Sequence, residues 1–167
     1  MRTIALILLA ACAACGTAKP GGMSGPTMNN NMGAAAAEPA VSPVVSQDIL
    51  AREPVANHTM VKHILIAWKD LDRDDYHVDP RAQGRTKADA EQVVRSLLGQ
   101  LKAGADFDQL MQSSSEDIGS ATTGQSYAVS PDAGLVIEFK QLGLRLNVGE
   151  IGVCESMFGF HIMKRVE

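Results

Sequence analysis

Cysteine is scarce in this chain of 167 residues: only Cys12, Cys15 and Cys154 occur. Two of them sit close to the N-terminus, so no disulfide scaffold spans the rest, even if the chain is exported to an oxidising compartment. An excess of one charge is also lacking. The formal net charge is -4 with both signs interspersed, which leaves none of the basic footprint that nucleic acid requires. No apolar run approaches the roughly 20 residues of a membrane-spanning helix. The four histidines, His58, His63, His77 and His161, lack paired metal-ligand spacing with cysteine or glutamate. No metal and no cofactor is therefore expected, and nucleic acid is excluded as a partner.

What is present begins with Met1-Arg2-Thr3 and a short apolar run, Ile4 to Ala11, before Cys12. A positive residue followed by such a run, ending in small side chains, is the pattern of a secretory signal peptide. Leu9-Ala10-Ala11-Cys12 resembles the bacterial lipobox, which implies that residues 1–11 are removed and that Cys12 carries lipid. Cys15 is the alternative anchor. Each buried CH₂ of an acyl chain contributes about 0.8 kcal/mol, so several chains hold a soluble domain at a membrane without a spanning helix. Ala13 follows Cys12 where an aspartate would imply inner-membrane retention, so the expected location is the periplasmic face of the outer membrane.

From Gly16 to about Ala56 the chain has no aromatic residue and almost no aliphatic periodicity, but it has Gly21-Gly22, Asn29-Asn30-Asn31 and scattered prolines. Such a segment cannot bury enough apolar surface to offset chain entropy. Residues 12–56 are therefore predicted to be a lipidated tether, with Val44 to Leu50 packing loosely at most. A coil of about 40 residues reaches roughly 35 Å.

Residues 57–167 read as one domain. Met60 to Ala67 is a branched, apolar run expected as a buried strand. Residues 68–85 form a long polar loop. Thr86-Lys87-Ala88-Asp89 opens a helix with a capping box in which Asp replaces the usual Glu or Gln. Ala90, Val93, Val94, Leu97, Leu98 and Leu101 follow as one apolar stripe, and Gly104 closes it. A short helix at Asp106–Met111, another around Leu135–Leu142, and a hairpin of Ile151–Glu155 with Phe160–Val166 complete a compact α+β domain.

Six segments in order resemble the parvulin-type peptidyl-prolyl cis–trans isomerases. They are Val61-Lys62-His63-Ile64-Leu65-Ile66, Gly104-Ala105-Asp106-Phe107, Ser115-Glu116-Asp117, Val136-Ile137-Glu138-Phe139, Val148-Gly149-Glu150-Ile151 and Phe158-Gly159-Phe160-His161-Ile162. The resemblance covers about Val61 to Glu167. It implies a four-stranded antiparallel sheet wrapped by about three or four helices. It also implies catalytic roles for His63, Asp117 and His161, with Leu135, Phe139, Ser156 and Phe158 binding the substrate. Taken alone, a histidine in a buried strand is more often an ordinary core residue, and Asp117 after Ser115 also reads as a turn cap.

The implied substrates are proline-containing unfolded or extended polypeptides, and the implied role is assistance to folding in the cell envelope. A catalytically weak, chaperone-like peptide-binding module is the alternative. That alternative is motivated by a departure. Where the family carries Gly-Gly-Asp-Leu-Gly, this chain has Thr123-Gly124-Gln125-Ser126-Tyr127, so a pocket leucine becomes Ser126. Tyr127 either occludes the groove or supplies an aromatic contact. In the long loop, Lys69, Arg73, Arg81 and Arg85 are offset by Asp70, Asp72, Asp74, Asp75 and Asp79, which argues against the convergent cations that bind phosphate.

Overall fold

The structure, a computed structural model, describes residues 41–71 and 79–167. The expected signal segment, Cys12, Cys15, most of the expected tether and residues 72–78 of the polar loop lie outside the described residues. In chain order the elements are α1 Gln47–Leu50, β1 Thr59–Ile66, α2 Pro80–Gln83, α3 Lys87–Lys102, α4 Phe107–Ser114, α5 Ile118–Thr123, β2 Tyr127–Val129, α6 Ile137–Gly143, β3 Ile151–Ser156 and β4 Gly159–Arg165. The strands form one antiparallel sheet in the order β2-β1-β4-β3.

Local signals account for most of these elements. Thr86 Oγ1 accepts from Asp89 N at 3.2 Å while the Asp89 carboxylate accepts from Thr86 N at 3.0 Å, so the capping box opens α3 as expected. Its stripe buries Ala90, Val94 and Leu97, with Val93, Leu98 and Leu101 packed partly against them. Asp106 caps α4 by accepting from Gln109 N at 2.9 Å. Gly159 is required by close approach. Its φ is +129°, and a Cβ there would stand 2.5 Å from the Ile66 carbonyl oxygen.

Strand periodicity divides the core into two. Ile64 and Ile66 of β1, Val153 of β3, and Phe160 and Ile162 of β4 face α3 and α4, among Val94, Leu97, Phe107 and Met111. Val61, Cys154 and Met163 point to the other side, among Val129, Phe139, Leu142 and Leu146. By the two-residue period of a strand, His63 and Leu65 share the face of Val61, and His161 shares that of Met163. Both histidines therefore lie on the α6 side of the sheet.

Three findings differ from the sequence expectation. Residues 41–56, assigned to the tether, pack on the domain. Val44 and Ile49 are buried, Ser46 N donates to Val153 O at 2.9 Å, and Ser46 Oγ accepts from Val153 N at 3.0 Å. This segment covers the outer edge of β3, whose unpaired backbone groups would otherwise be open to pairing. Two apolar residues suffice for that, too few to register as periodicity. The short elements α5 and β2 were not read from local pattern either. Within the polar loop, Pro80–Gln83 forms a helical turn, α2.

Candidate active site

Register places the two histidines. His161 pairs with Leu65 and His63 with Met163 across β1 and β4, so the imidazoles are diagonal neighbours on one face. Diagonal pairs lie within reach of ring side chains. Their rings stack with centroids 5.3 Å apart, and the two Nδ1 atoms are 3.2 Å apart. On the far side His161 Nε2 lies 2.8 Å from Ser156 Oγ, and that hydroxyl oxygen also accepts from Phe158 N at 3.1 Å.

Asp117 reaches the pair because the turn after α4 docks on the edge of β1. Leu65 N donates to Ser115 Oγ at 3.1 Å, Glu116 N donates to Leu65 O at 2.9 Å, and Ala67 N donates to Glu116 Oε2 at 2.7 Å. These bonds continue the β1 edge beyond the point where β2 stops. They set Asp117 Oδ2 2.9 Å from His63 Nε2. The same oxygen accepts from Ser120 Oγ at 2.6 Å and Tyr127 Oη at 2.8 Å, while Oδ1 accepts from Gly119 N at 3.1 Å. Asp117 is thus also the N-cap of α5.

This environment sets the charges. The His63 hydrogen bond first, then those of Ser120 and Tyr127, hold the Asp117 carboxyl far below the usual carboxylate range against the opposing effect of burial. Burial, reinforced by the neighbouring His63, pushes the His161 imidazole down to about 3. His161 is therefore neutral at ordinary pH and carries one ring N–H. One order of donors and acceptors then satisfies every atom. Ser156 donates to His161 Nε2, His161 Nδ1–H donates to His63 Nδ1, and His63 Nε2–H donates to Asp117. The carboxylate anchors the chain of bonds and fixes both tautomers.

Beside this network lies a cavity of about 300 Å³, lined by His63, Leu65, Asp117, Tyr127, Gly134, Leu135, Val136, Phe139, Phe158 and His161. Phe139 meets both imidazoles edge-on, at 5.2 Å from His63 and 5.3 Å from His161. Of the residues singled out in the sequence, His63, Asp117, His161, Leu135, Phe139 and Phe158 converge here. Ser156 does not join the wall. It is buried behind His161, with its hydroxyl engaged by the ring and by Phe158 N.

Leu65, Tyr127, Gly134 and Val136 were not singled out as site residues. Leu65 had a signal, because it stands two residues from His63 in one strand. Tyr127 resolves its two alternatives in favour of the aromatic contact, with ring centroids 5.0 Å from His63 and 6.0 Å from Phe139. Cys154 lies beneath the same face, where burial pushes its thiol well above the ordinary range. It is no nucleophile.

The loop cations Arg81 and Arg85 are committed elsewhere. Arg85 Nη1 donates to the buried Glu116 carboxylate at 2.6 Å and to Ala67 O at 2.9 Å. Arg81 binds Asp79 and the Ser115 carbonyl. Both clamp the loop to the turn that carries Asp117.

A four-stranded antiparallel sheet with the order β2-β1-β4-β3, helices on both faces and a histidine pair at its centre places the molecule in the parvulin class of α+β domains. A solved structure of the peptidyl-prolyl isomerase ESS1 from Candida albicans superposes with a TM-score of 0.57 at 21% identity, covering 75% of this chain and 67% of that one. The model of the PPIC-type PPIase domain matches residues 47–167, and the chain belongs to that family.

Among curated relatives, the chaperone SurA of Pseudomonas aeruginosa is 35% identical over 112 residues, which is 66% of this chain and 24% of that protein. The foldase protein PrsA of Geobacillus kaustophilus is 28% identical over 123 residues, 72% of this chain and 43% of that protein. The chain thus spans a quarter to less than half of the length of these relatives. Among the described residues, no helix is long and apolar enough to cross a membrane.

Proposed function

We propose that this protein accelerates cis–trans exchange of X–Pro bonds in exported polypeptides as they fold, held at the periplasmic face of the outer membrane by lipid on Cys12. The observation that carries the isomerase reading is the cavity itself, with apolar walls on one side and a fixed, charged hydrogen-bond network on the other. Rotation about a peptide bond faces a barrier of about 18–20 kcal/mol because conjugation resists twisting. A catalyst needs no covalent step; it must bind the twisted amide better than either planar form.

In this reading Leu135, Phe139 and Phe158 enclose the pyrrolidine ring and strip water from the amide, favouring the less polar twisted state. His63 and Asp117 set the field beside the bond, and His161 with Ser156 behind it keeps His63 in one tautomer. Asp117 acts as a fixed anion, since its oxygens are already occupied by donors. The test is exchange of short X–Pro peptides followed by NMR with the full chain. Wild type accelerates exchange, while His63→Ala, Asp117→Ala and Phe139→Ala lose most of it. No acceleration over buffer across several peptides refutes the proposal.

A second reading, a peptide-holding module with little catalysis, is favoured by the Thr123–Tyr127 departure and by the name chaperone borne by the SurA relative. Suppressed aggregation of an unfolded client, with no exchange rate and no effect of His161→Ala, would select it. Lipidation is tested separately. Palmitate labelling that disappears in Cys12→Ser supports the anchor; labelling lost only in Cys15→Ser moves it to the second cysteine.

A further inference from the structure

The oxygen Asp117 Oδ2 receives three side-chain donors from three directions: His63 Nε2 from β1, Ser120 Oγ from α5 and Tyr127 Oη from β2. Ser120 belongs to the helix that Asp117 itself caps, so it moves with the carboxylate. Tyr127 does not. It stands on the edge strand, opposite Val61 in the ladder, and ties the carboxylate to the same sheet that carries His63. The first turn of α5 lies against this contact: a Cβ at Gly119 would stand at ordinary contact distance, 3.5 Å from Tyr127 Oη and 3.4 Å from Asp117 Oδ1. The ring has its own place. It lines the cavity, edge-on to His63, whereas its neighbour Ser126 does not reach the wall.

We infer that Tyr127 is a positioning and specificity residue of this site: its hydroxyl holds Asp117 in line with His63, and its ring forms one wall of the proline pocket. The inference rests on the isomerase reading. Two roles on one side chain separate cleanly, because Phe keeps the ring and removes only the donor. A carboxylate with one donor fewer shares its charge among those that remain, so its bond to His63 shortens and strengthens. It also gains freedom to turn away from the alignment that the bound amide requires. Loss of a single hydrogen bond to a charged group is worth about tenfold or more where the charge is left unpaired, and somewhat less here, where His63 and Ser120 still donate.

The test uses the full chain and two independent readouts. In the free protein, Tyr127→Phe moves the His63 Nε2–H proton resonance downfield. In peptide exchange, Tyr127→Phe lowers kcat about five- to tenfold and leaves KM unchanged, whereas Tyr127→Ala also raises KM about fivefold. In an Asp117→Asn background, Tyr127→Phe adds less than a twofold change in kcat, because the partner it positions is gone.

An unmoved His63 resonance overturns the inference. So does an unchanged kcat in Tyr127→Phe, or a full additive effect on top of Asp117→Asn. Should Tyr127→Ala not fold, Tyr127→Phe decides alone, with its thermal unfolding checked against wild type. A wild type without exchange activity but with the shifted resonance in Tyr127→Phe refutes the isomerase reading and supports the positioning contact.

Discussion

The two faces of the sheet are built from alternate residues of the same strands, yet they solve different problems. Toward α3 and α4 the strands offer Ile64, Ile66, Val153, Phe160 and Ile162, all 1% exposed or less. Toward α6 they offer Val61 and Met163 but also His63, His161 and Ser156, buried polar groups that need partners. The first face has only packing to optimise. The second supports the same sheet while leaving a cavity and a chain of directed hydrogen bonds. Stability and chemistry are thus divided by the period of a strand, and the turn at Ser115–Asp117 is where they meet. Glu116 anchors that turn on one side, and Asp117 enters the site on the other.

The sharpest break in this division is expected at the junction. Glu116→Ala leaves Arg85 without its buried partner and frees Ala67 N, and loss of one member of a buried pair costs about 3–5 kcal/mol. Chemical denaturation should record that loss, and any exchange activity should fall with it because Asp117 loses its mooring. Next comes the packing face. Leu97→Ala is expected to cost about 2–4 kcal/mol in the same measurement while leaving exchange per folded molecule unchanged. A fall in that specific rate would couple the faces and undo the distinction.

The site face should reveal itself through pH. The His161 imidazole is lowered to about 3 by burial and by His63, below the value of about 6.5 for an exposed histidine. The unfolded chain therefore takes up this proton first. Its contribution is whole above about pH 6.5 and is lost as pH falls from there toward 3. The depressed carboxyl of Asp117 adds a loss in the same direction below about pH 4. Unfolding free energy measured across pH 7 to 3 should fall by a few kcal/mol, with a shallower slope in His161→Gln. An equal slope in that variant would place the acid sensitivity elsewhere. The smallest effect lies at the rim of the packing face. The ion pair of Lys62 with Asp108 is half open to solvent, so Asp108→Ala should change stability by less than about 1 kcal/mol.

How much was legible in advance follows from the range of each interaction. The capping box at Thr86, the stripe of α3 and the closing hairpin are local, and all are present. His63, Asp117, His161, Leu135, Phe139 and Phe158 were picked out by ordered resemblance, and the fold brings them around one cavity. Resemblance assigns Ser156 to substrate binding, and neighbouring positions in a hairpin do not reveal which one a ring will cover. Tyr127 remained ambiguous for a related reason. Whether an aromatic residue closes a groove or lines it depends on the atoms opposite, here Asp117 and Gly119. The segment at Val44 to Leu50 reads as packing loosely at most, because two buried apolar residues carry no period.

By itself, then, the order of residues determined the secondary structure with clear periodicity, the caps that start α3 and α4, and the identity of the histidine pair and the apolar candidates. The periodic elements and the caps depend on propensity and spacing within a few residues; the histidine pair and the apolar candidates rest on the family resemblance. Only the tertiary structure decided that the histidines lie diagonally on one face, that Asp117 collects donors from β1, α5 and β2, and that residues 41–56 belong to the domain. Each of those depends on register between distant strands, where a slip of one residue turns every side chain to the opposite face.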